Sequence, residues 1–173
     1  MQSLNKRVLF DAATISARVA EIGRQISQKY PNGNLLLIGI LKGSFMFMAD
    51  LVRNINVDCQ VDFVRISSYK DGTVTSGKLD ILLDVGISVE GRNVILVDDI
   101  VDSGLTLSEY RKRIEQQGPK SIETAALLDK TGRREKHVEV DYCGFRIQDG
   151  FIVGYGLDCN EHDRCHGCLY VLE

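Results

Sequence analysis

The chain has 173 residues, of which 44% are hydrophobic and 26% charged, with a formal net charge of −3 at pH 7. A chain of this length can bury one sizeable core, so a single globular domain is expected. The mild acidity, without a basic face visible in the sequence, gives no support for nucleic-acid binding as a main role, and no apolar stretch approaches the length of a membrane span. The odd number of cysteines, five, and a start without the apolar core of a signal peptide predict reduced thiols and a cytoplasmic protein.

The first half of the chain predicts a helix followed by a strand–helix–strand unit. Residues 11–30 carry apolar side chains on one helical face, at Ile15, Val19, Ile22 and Ile26. Residues 35–40 and 59–66 predict buried strands on either side of a helix at 45–55, which makes a right-handed βαβ unit. The polar residues 69–78 predict a loop, and residues 79–83 a possible strand or hairpin arm.

A second strand–loop–helix–strand unit begins with the segment NVILVDDIVDSGLTL, residues 93–107. The continuous aliphatic run at 94–97 is typical of a central parallel strand that is covered on both faces. Asp98 and Asp99 would lie at its carboxyl end, where open α/β sheets bind ligands. A helix is predicted to start at Ser103, and Gly118-Pro119 breaks it before a strand at 121–128.

The start of this second helix predicts a phosphate site. A helix start leaves free N–H groups and a partial positive charge, and Ser103, Gly104 and Thr106 allow an anionic oxygen to approach the backbone. The carboxylates of Asp98 and Asp99 would repel a bare polyphosphate, so we expect them to accept hydrogen bonds from a diol while a divalent cation offsets their charge. A diol together with a phosphate indicates a ribose phosphate.

The run VILVDDIVDSGLT resembles the phosphoribosyl pyrophosphate (PRPP) binding motif of type I phosphoribosyltransferases. Further segments are similar, in the same order, to those of hypoxanthine-guanine phosphoribosyltransferases: ILKGS, SSYKDG, LLDKTGRR and FIVGYGLDCNEHDR. The resemblance implies an α/β fold with a parallel twisted sheet flanked by helices. It also implies one domain over residues 1–173, with a core at about 34–148 and a small hood formed by about 1–30 and 149–173.

The resemblance assigns roles to named residues. Those that it implies for ribose phosphate binding are Asp98, Asp99, Asp102, Ser103, Gly104, Leu105 and Thr106. Asp102 would also be the general base beside the purine nitrogen that loses a proton, although it would then need a pKa raised by burial or by acidic neighbours. A plain N-cap of the helix is the alternative for Asp102. Ser68 and Tyr69 would lie at the base of a loop that closes over the reacting centre.

The remaining implied residues bind pyrophosphate, the purine and magnesium. Pyrophosphate would contact Leu41, Lys42, Gly43 and Arg164, with a cis peptide at Leu41–Lys42. Lys130 would donate to the purine 6-oxygen, Phe151 would stack on the ring and Ile152 would offer backbone groups. Asp158 would lie near the guanine amino group, and the Mg²⁺ ligands would be Asp98, Asp99 and Asp158. A core aromatic is the alternative for Phe151, and plain surface charges are the alternative for Lys42 and Arg164.

The implied reaction converts PRPP and hypoxanthine, or guanine, to IMP, or GMP, and pyrophosphate. Alternatives are a xanthine-guanine enzyme of the same fold and a nucleotide-sensing regulator that binds nucleic acid. A nicotinamide-dependent oxidoreductase would require the motif GxGxxG after the first strand, and the chain does not have this motif there. Relatives form dimers or tetramers, so a homodimer or homotetramer is expected by resemblance.

Three positions depart from the pattern of the relatives. Asp98 stands where purine-salvage relatives commonly carry Glu, Leu105 replaces a Lys of some relatives, and Cys159 replaces a frequent aromatic. Near the C-terminus, a spacing of three residues also allows a zinc hypothesis for Cys159, His162, Cys165 and Cys168. The alternative for this last group is a surface loop followed by a final strand.

Overall fold

The computed structural model describes residues 5–67 and 79–173, so the predicted loop at 69–78, with Ser68 and Tyr69, lies outside the described residues. In chain order, the strands and helices of the described residues are β1 (Lys6–Phe10), α1 (Ala12–Lys29), β2 (Leu35–Leu41), α2 (Phe45–Arg53), β3 (Cys59–Ser67), β4 (Asp80–Leu83), β5 (Asn93–Val101), α3 (Leu105–Glu115), β6 (Ser121–Lys130), β7 (Tyr142–Ile147), β8 (Phe151–Val153) and β9 (Leu169–Leu172). They form a six-stranded sheet in the order β4-β3-β2-β5-β6-β7 and a three-stranded sheet in the order β1-β9-β8. The larger sheet is parallel except for β4, which runs antiparallel to β3. The predicted α/β fold with a parallel sheet is confirmed.

The central strands β2 and β5 are buried on both faces, which explains their unbroken aliphatic runs. Leu35 and Leu37 belong to a core cluster that also contains the apolar faces of α1 and α2. Leu36 and Ile38 point to the opposite side, where they join a second cluster with residues of α3. Because side chains alternate along a strand, two helical layers require every residue of β2 to be apolar.

The helix ends follow from local chemistry. The Asp11 carboxylate accepts a hydrogen bond from the backbone N–H of Thr14 at 2.8 Å, which caps α1. Helix α3 begins at Leu105, two residues later than predicted, because Gly104 takes up a left-handed conformation with φ of 78° at the cap position. Strand β5 is longer than its aliphatic run because its pairing with β6 continues to Val101, opposite Asp129.

The smaller antiparallel sheet joins the two ends of the chain. Strand β1 pairs with β9, and β9 pairs with β8. Helix α1 packs against α2 and against β7 of the six-stranded sheet. The Phe10 ring stacks on Phe145 of β7, with centroids 3.9 Å apart, and so connects the small sheet to the large one. None of the helices described is both long and apolar enough to cross a membrane.

Candidate functional site

A cavity of about 230 Å³ opens at the carboxyl ends of β2 and β5. Two of the sequence segments predicted to bind ligands meet there, one that follows β2 and one that runs from the end of β5 into α3. The predicted site residues that line it are Leu41, Lys42, Gly43, Asp98, Asp99, Asp102, Ser103, Gly104 and Thr106. Leu105 is the first residue of α3, and its backbone N–H donates to the Ser103 hydroxyl at 3.3 Å. The fold therefore gathers the predicted ribose-phosphate segment and part of the predicted pyrophosphate segment around one space.

Asp98 and Asp99 form a crowded pair of acids in the last part of β5. The backbone N–H of Asp99 donates to the Asp98 carboxylate at 3.0 Å. Burial, and next the negative charge of Asp99, raise the pKa of Asp98 well above its usual range, and burial also raises the pKa of Asp99. The charge of Arg164 lowers the pKa of Asp99 but does not offset the effect of burial, so a cation bound beside the pair would be favoured.

Gly43 allows the Asp99 carboxylate to approach the segment that follows β2. A Cβ atom on Gly43 would lie 1.7 Å from the Asp99 Oδ2, and one on Gly156 would lie 2.1 Å from the Gly43 carbonyl oxygen. Any side chain at either position would therefore displace its neighbour. The peptide bond between Leu41 and Lys42 is cis, as the resemblance implies.

Lys42 and Arg164, the two cations predicted to bind pyrophosphate, lie near the same carboxylate. The Lys42 Nζ is 2.9 Å from Glu161 Oε1, and the Arg164 Nη2 is 3.3 Å from Glu161 Oε2. Arg164 also contacts Asp158 at 2.8 Å, and its Nη1 donates to the Gly156 carbonyl at 2.7 Å. The sequence did not predict a role for Glu161, although its position between Asp158 and Arg164 in a matched segment was a possible signal.

Lys130 and Asp102 lie together at the ends of β6 and β5. Lys130 is only 5% exposed, and its ammonium group is 3.3 Å from a carboxylate oxygen of Asp102 and 3.3 Å from one of Asp149. The other oxygen of Asp102, Oδ1, is buried without a hydrogen-bond partner among the described residues. Asp102 is one of the residues that line the cavity, and an unsatisfied buried acceptor is suited to receive a proton or a hydrogen bond. The sequence did not predict the contact with Asp149.

Arg134 connects the predicted phosphate loop, residues 102–106, to the end of β6, and the sequence did not predict this role either. Its guanidinium group donates to the carboxylate of Asp129. It also donates to backbone carbonyls 3.0–3.3 Å away, those of Asp102, Val101, Lys130 and Val138. The matched segment LLDKTGRR contains two arginines, and nothing in the sequence distinguishes this one from its neighbour.

None of the residues predicted to bind the purine, Lys130 included, is among those that line the cavity. Phe151 lies on β8 and is 56% exposed, whereas Ile152 is buried in the core cluster beneath it. Asp158 follows β8 and pairs with Arg164. Ser68 and Tyr69 belong to the part of the chain that the structure does not describe.

The structure does not bring the residues of the zinc hypothesis together. Within residues 5–67 and 79–173, no group of three or more His, Cys, Asp and Glu side chains is placed to hold a metal ion. Cys159 and His162 instead close a backbone turn through two mutual hydrogen bonds of 3.0 and 3.1 Å. Asp98, Asp99 and Asp158 likewise do not converge on a single three-carboxylate site, so a cation beside the Asp98–Asp99 pair would need ligands from substrate or water.

Known proteins resemble this chain over most of its length. The model of the phosphoribosyl transferase domain matches residues 8–160. The hypoxanthine phosphoribosyltransferase of Escherichia coli (strain K12) is 46% identical over 159 residues, which cover 91% of this chain and 89% of that protein. The hypoxanthine-guanine phosphoribosyltransferase of Dictyostelium discoideum is 46% identical over 165 residues, with coverage of 93% and 92%. A crystal structure of a hypoxanthine phosphoribosyltransferase from Staphylococcus aureus matches with a TM-score of 0.93 at 37% identity, covering 98% of this chain and 92% of that one.

Proposed function

The chain belongs to the phosphoribosyltransferase family, and on this premise we propose that it transfers the phosphoribosyl group of PRPP to hypoxanthine and guanine in purine salvage. The observation that carries the proposal is the single cavity bordered by residues 41–43 and by the acids and hydroxyls of residues 98–106. It offers separate places for a leaving pyrophosphate and for a ribose phosphate. The relatives with the matching names support the choice of purine.

The phosphate loop anchors the part of PRPP that does not react. The hydroxyls of Ser103 and Thr106 and the N–H groups at the start of α3 bind the 5-phosphate, because a helix N-terminus favours negative charge. Asp98 and Asp99 accept hydrogen bonds from the ribose hydroxyls. Fixing the sugar at both places converts the attack of the purine into a nearly unimolecular step.

Cleavage of the bond at the anomeric carbon develops positive charge on the sugar and negative charge on pyrophosphate. Lys42, the backbone at Gly43 and Arg164 receive the leaving pyrophosphate, while the nearby acids stabilise the sugar. Arg164 carries a buried Nε without a hydrogen-bond partner in the described part of the chain, and this donor remains available for an anionic oxygen.

Lys130 selects the purine. Its buried ammonium group donates to the 6-oxygen of hypoxanthine or guanine. Adenine carries an amino group at that place, so two hydrogen-bond donors would face each other there, and the ammonium would keep only its contacts with Asp102 and Asp149. Phe151 stacks on the ring, Ile152 contributes backbone groups, and Asp158 lies near the guanine amino group.

Asp102 acts as the general base. Its Oδ1, which has no hydrogen-bond partner among the described residues, accepts the proton that the purine nitrogen loses, and its other oxygen stays beside the Lys130 ammonium. The same loop position lets the backbone of Asp102 contribute to the phosphate cradle. The base and the purine donor are thus held by the ends of neighbouring strands, β5 and β6.

The donor set fits magnesium as the cofactor. Two adjacent, buried carboxylates with raised pKa values are a set of hard oxygen ligands in need of positive charge. Asp98 and Asp99 would hold the ion from the ribose side, and Asp158 would hold one through water. Bound magnesium supplies charge neutralisation for the departing pyrophosphate.

The test is nucleotide formation by the purified protein with PRPP and magnesium, with hypoxanthine, guanine, xanthine and adenine offered separately. We expect product from hypoxanthine and guanine. Product from xanthine and guanine without hypoxanthine would assign the xanthine-guanine specificity instead, and product from adenine alone would refute the role of Lys130. A protein that forms no nucleotide but binds RNA or DNA would support the regulator.

The cellular setting is part of the same proposal. All five cysteines are free in the structure, which suits the reducing cytoplasm. The partners are small molecules, and the enzyme neither binds nucleic acid nor associates with membranes. It assembles as a homodimer or homotetramer, which sedimentation equilibrium would test.

A further inference from the structure

Glu161 is placed so that each of its two carboxylate oxygens contacts a different cation. Oε1 is 2.9 Å from the Lys42 ammonium, and Oε2 is 3.3 Å from the Arg164 guanidinium. The backbone N–H of Glu161 donates to Asp158 at 2.8 Å, which orients the loop. A glutamate carboxyl group is charged at neutral pH, and the contacts with Lys42 and then Arg164 lower its pKa further. A single anion thus bridges two cations that come from different parts of the fold.

The same two cations are the pyrophosphate ligands of the proposed function. A carboxylate that spans them with two oxygens uses the interactions that two oxygens of a phosphate group would use. Neither cation can give its full charge to Glu161 and to pyrophosphate at once, because both anions would then lie close together and repel each other. Binding of pyrophosphate therefore weakens or replaces the contacts with Glu161.

Exposure indicates which partner moves. The side chain of Glu161 is 63% exposed, whereas that of Arg164 is 20% exposed and is also held by Asp158 and the Gly156 carbonyl. Glu161 can turn into water at little cost, while Arg164 stays in position. Since exposed ion pairs contribute little to stability, the exchange does not disturb the fold.

We propose that Glu161 is an internal competitor of pyrophosphate, which occupies Lys42 and Arg164 and so weakens the binding of pyrophosphate and accelerates its release. This inference rests on the proposed function, since it uses the pyrophosphate roles of the two cations. It makes Glu161 a residue that acts through its neighbours and does not itself contact the reacting atoms. The opposite role, in which Glu161 holds the two cations ready for the substrate, predicts a change of opposite sign.

Glu161→Gln distinguishes these roles because it removes the charge and keeps the shape. We expect the variant to bind pyrophosphate about 3- to 10-fold more tightly than the wild type, as for the loss of one or two exposed ion pairs. The affinity for hypoxanthine should not change. The gain should diminish at high salt, where charges at the surface are screened. A purely structural role would not produce tighter binding.

Glu173→Gln is the matched control, because Glu173 also pairs with an arginine, Arg7 at 2.7 Å, and is similarly exposed but directly follows β9 of the small sheet. Calorimetric titration of the three full-length proteins with magnesium pyrophosphate gives the dissociation constants. If the wild type binds pyrophosphate and forms nucleotide, equal or weaker binding of pyrophosphate by Glu161→Gln would refute this inference alone. A wild type that neither binds pyrophosphate nor forms nucleotide would refute the proposed function as well. An equal gain in Glu173→Gln would reduce the effect to net charge and refute the competitor role.

Discussion

Replacement of Arg134 by glutamine should destabilise the enzyme strongly, because this side chain holds several strands and loops at once. It is 18% exposed, pairs with Asp129 and donates to the backbone carbonyls of residues 101, 102, 130 and 138. Removing one partner of a buried ion pair costs about 3–5 kcal/mol. Asp129 keeps a second partner, Arg146 at 3.1 Å, so we expect the lower end of this range, about 3 kcal/mol. For a domain of this size the corresponding drop in Tm is about 6–12 °C.

Arg133 offers the control for this change. Its side chain is 69% exposed and reaches Asp149 only at 3.8 Å, so Arg133→Gln should alter the free energy of unfolding by less than about 0.5 kcal/mol. Urea unfolding of both variants measures the difference. Kinetics at a temperature where both remain folded should then show a lower kcat/KM for Arg134→Gln, because the carbonyls that it holds belong to the phosphate loop and to Lys130. Equal stability of the two variants would show that the contacts of Arg134 contribute nothing, and would refute the reasoning.

Three further changes test separate parts of the site and the fold. Gly43→Ala places a Cβ 1.7 Å from the Asp99 carboxylate and should lower kcat/KM for PRPP about 100-fold by displacing that group. Unchanged kinetics would show that catalysis does not depend on the position of the Asp99 carboxylate. Asp102→Asn keeps the shape of the loop and should lower kcat with hypoxanthine by about 10²- to 10⁴-fold, so unchanged turnover would exclude it as the base. Burial alone would raise the pKa of Glu123, but hydrogen bonds from Lys29 and two tyrosines hold it below its ordinary value of 4.5. The unfolded state then binds more protons than the folded state, so stability is lost as the pH falls below about 4.5. Glu123→Gln should reduce this loss of stability at acid pH, which urea unfolding midpoints measured at several pH values would show.

Local patterns predicted the helices and central strands of the fold but not the first strand, β1. The aliphatic runs of β2 and β5 and the spacing along α1 are set by burial, which the sequence expresses directly. Strand β1 was not predicted because most of its residues are exposed and show no alternation of apolar and polar side chains. Its pairing with β9 depends on residues more than 150 positions away in the chain, a contact that periodicity cannot express.

The residues of the site likewise fall into a group that the sequence predicted and a group that it did not. Residues within the phosphate loop are contiguous, so one motif predicted them together, and most of them line the cavity. Arg134 and Glu161 act through contacts between loops, and such contacts depend on the final positions of several backbone carbonyls and side chains. The sequence could place each inside a matched segment, but it could not separate Arg134 from Arg133, since both are arginines in the same turn.

The charges around the cavity explain why a divalent cation belongs to the proposed reaction. Its lining, as far as the structure describes it, carries the carboxylates of Asp98, Asp99 and Asp102 against the single ammonium of Lys42. That ammonium is in addition shared with Glu161. A polyphosphate that entered without counterions would meet net negative charge in a partly buried space, where repulsion is poorly screened. We therefore expect the anionic substrate to bind together with its metal ion, so that the acids which would repel the phosphates alone become the ligands that hold the complex.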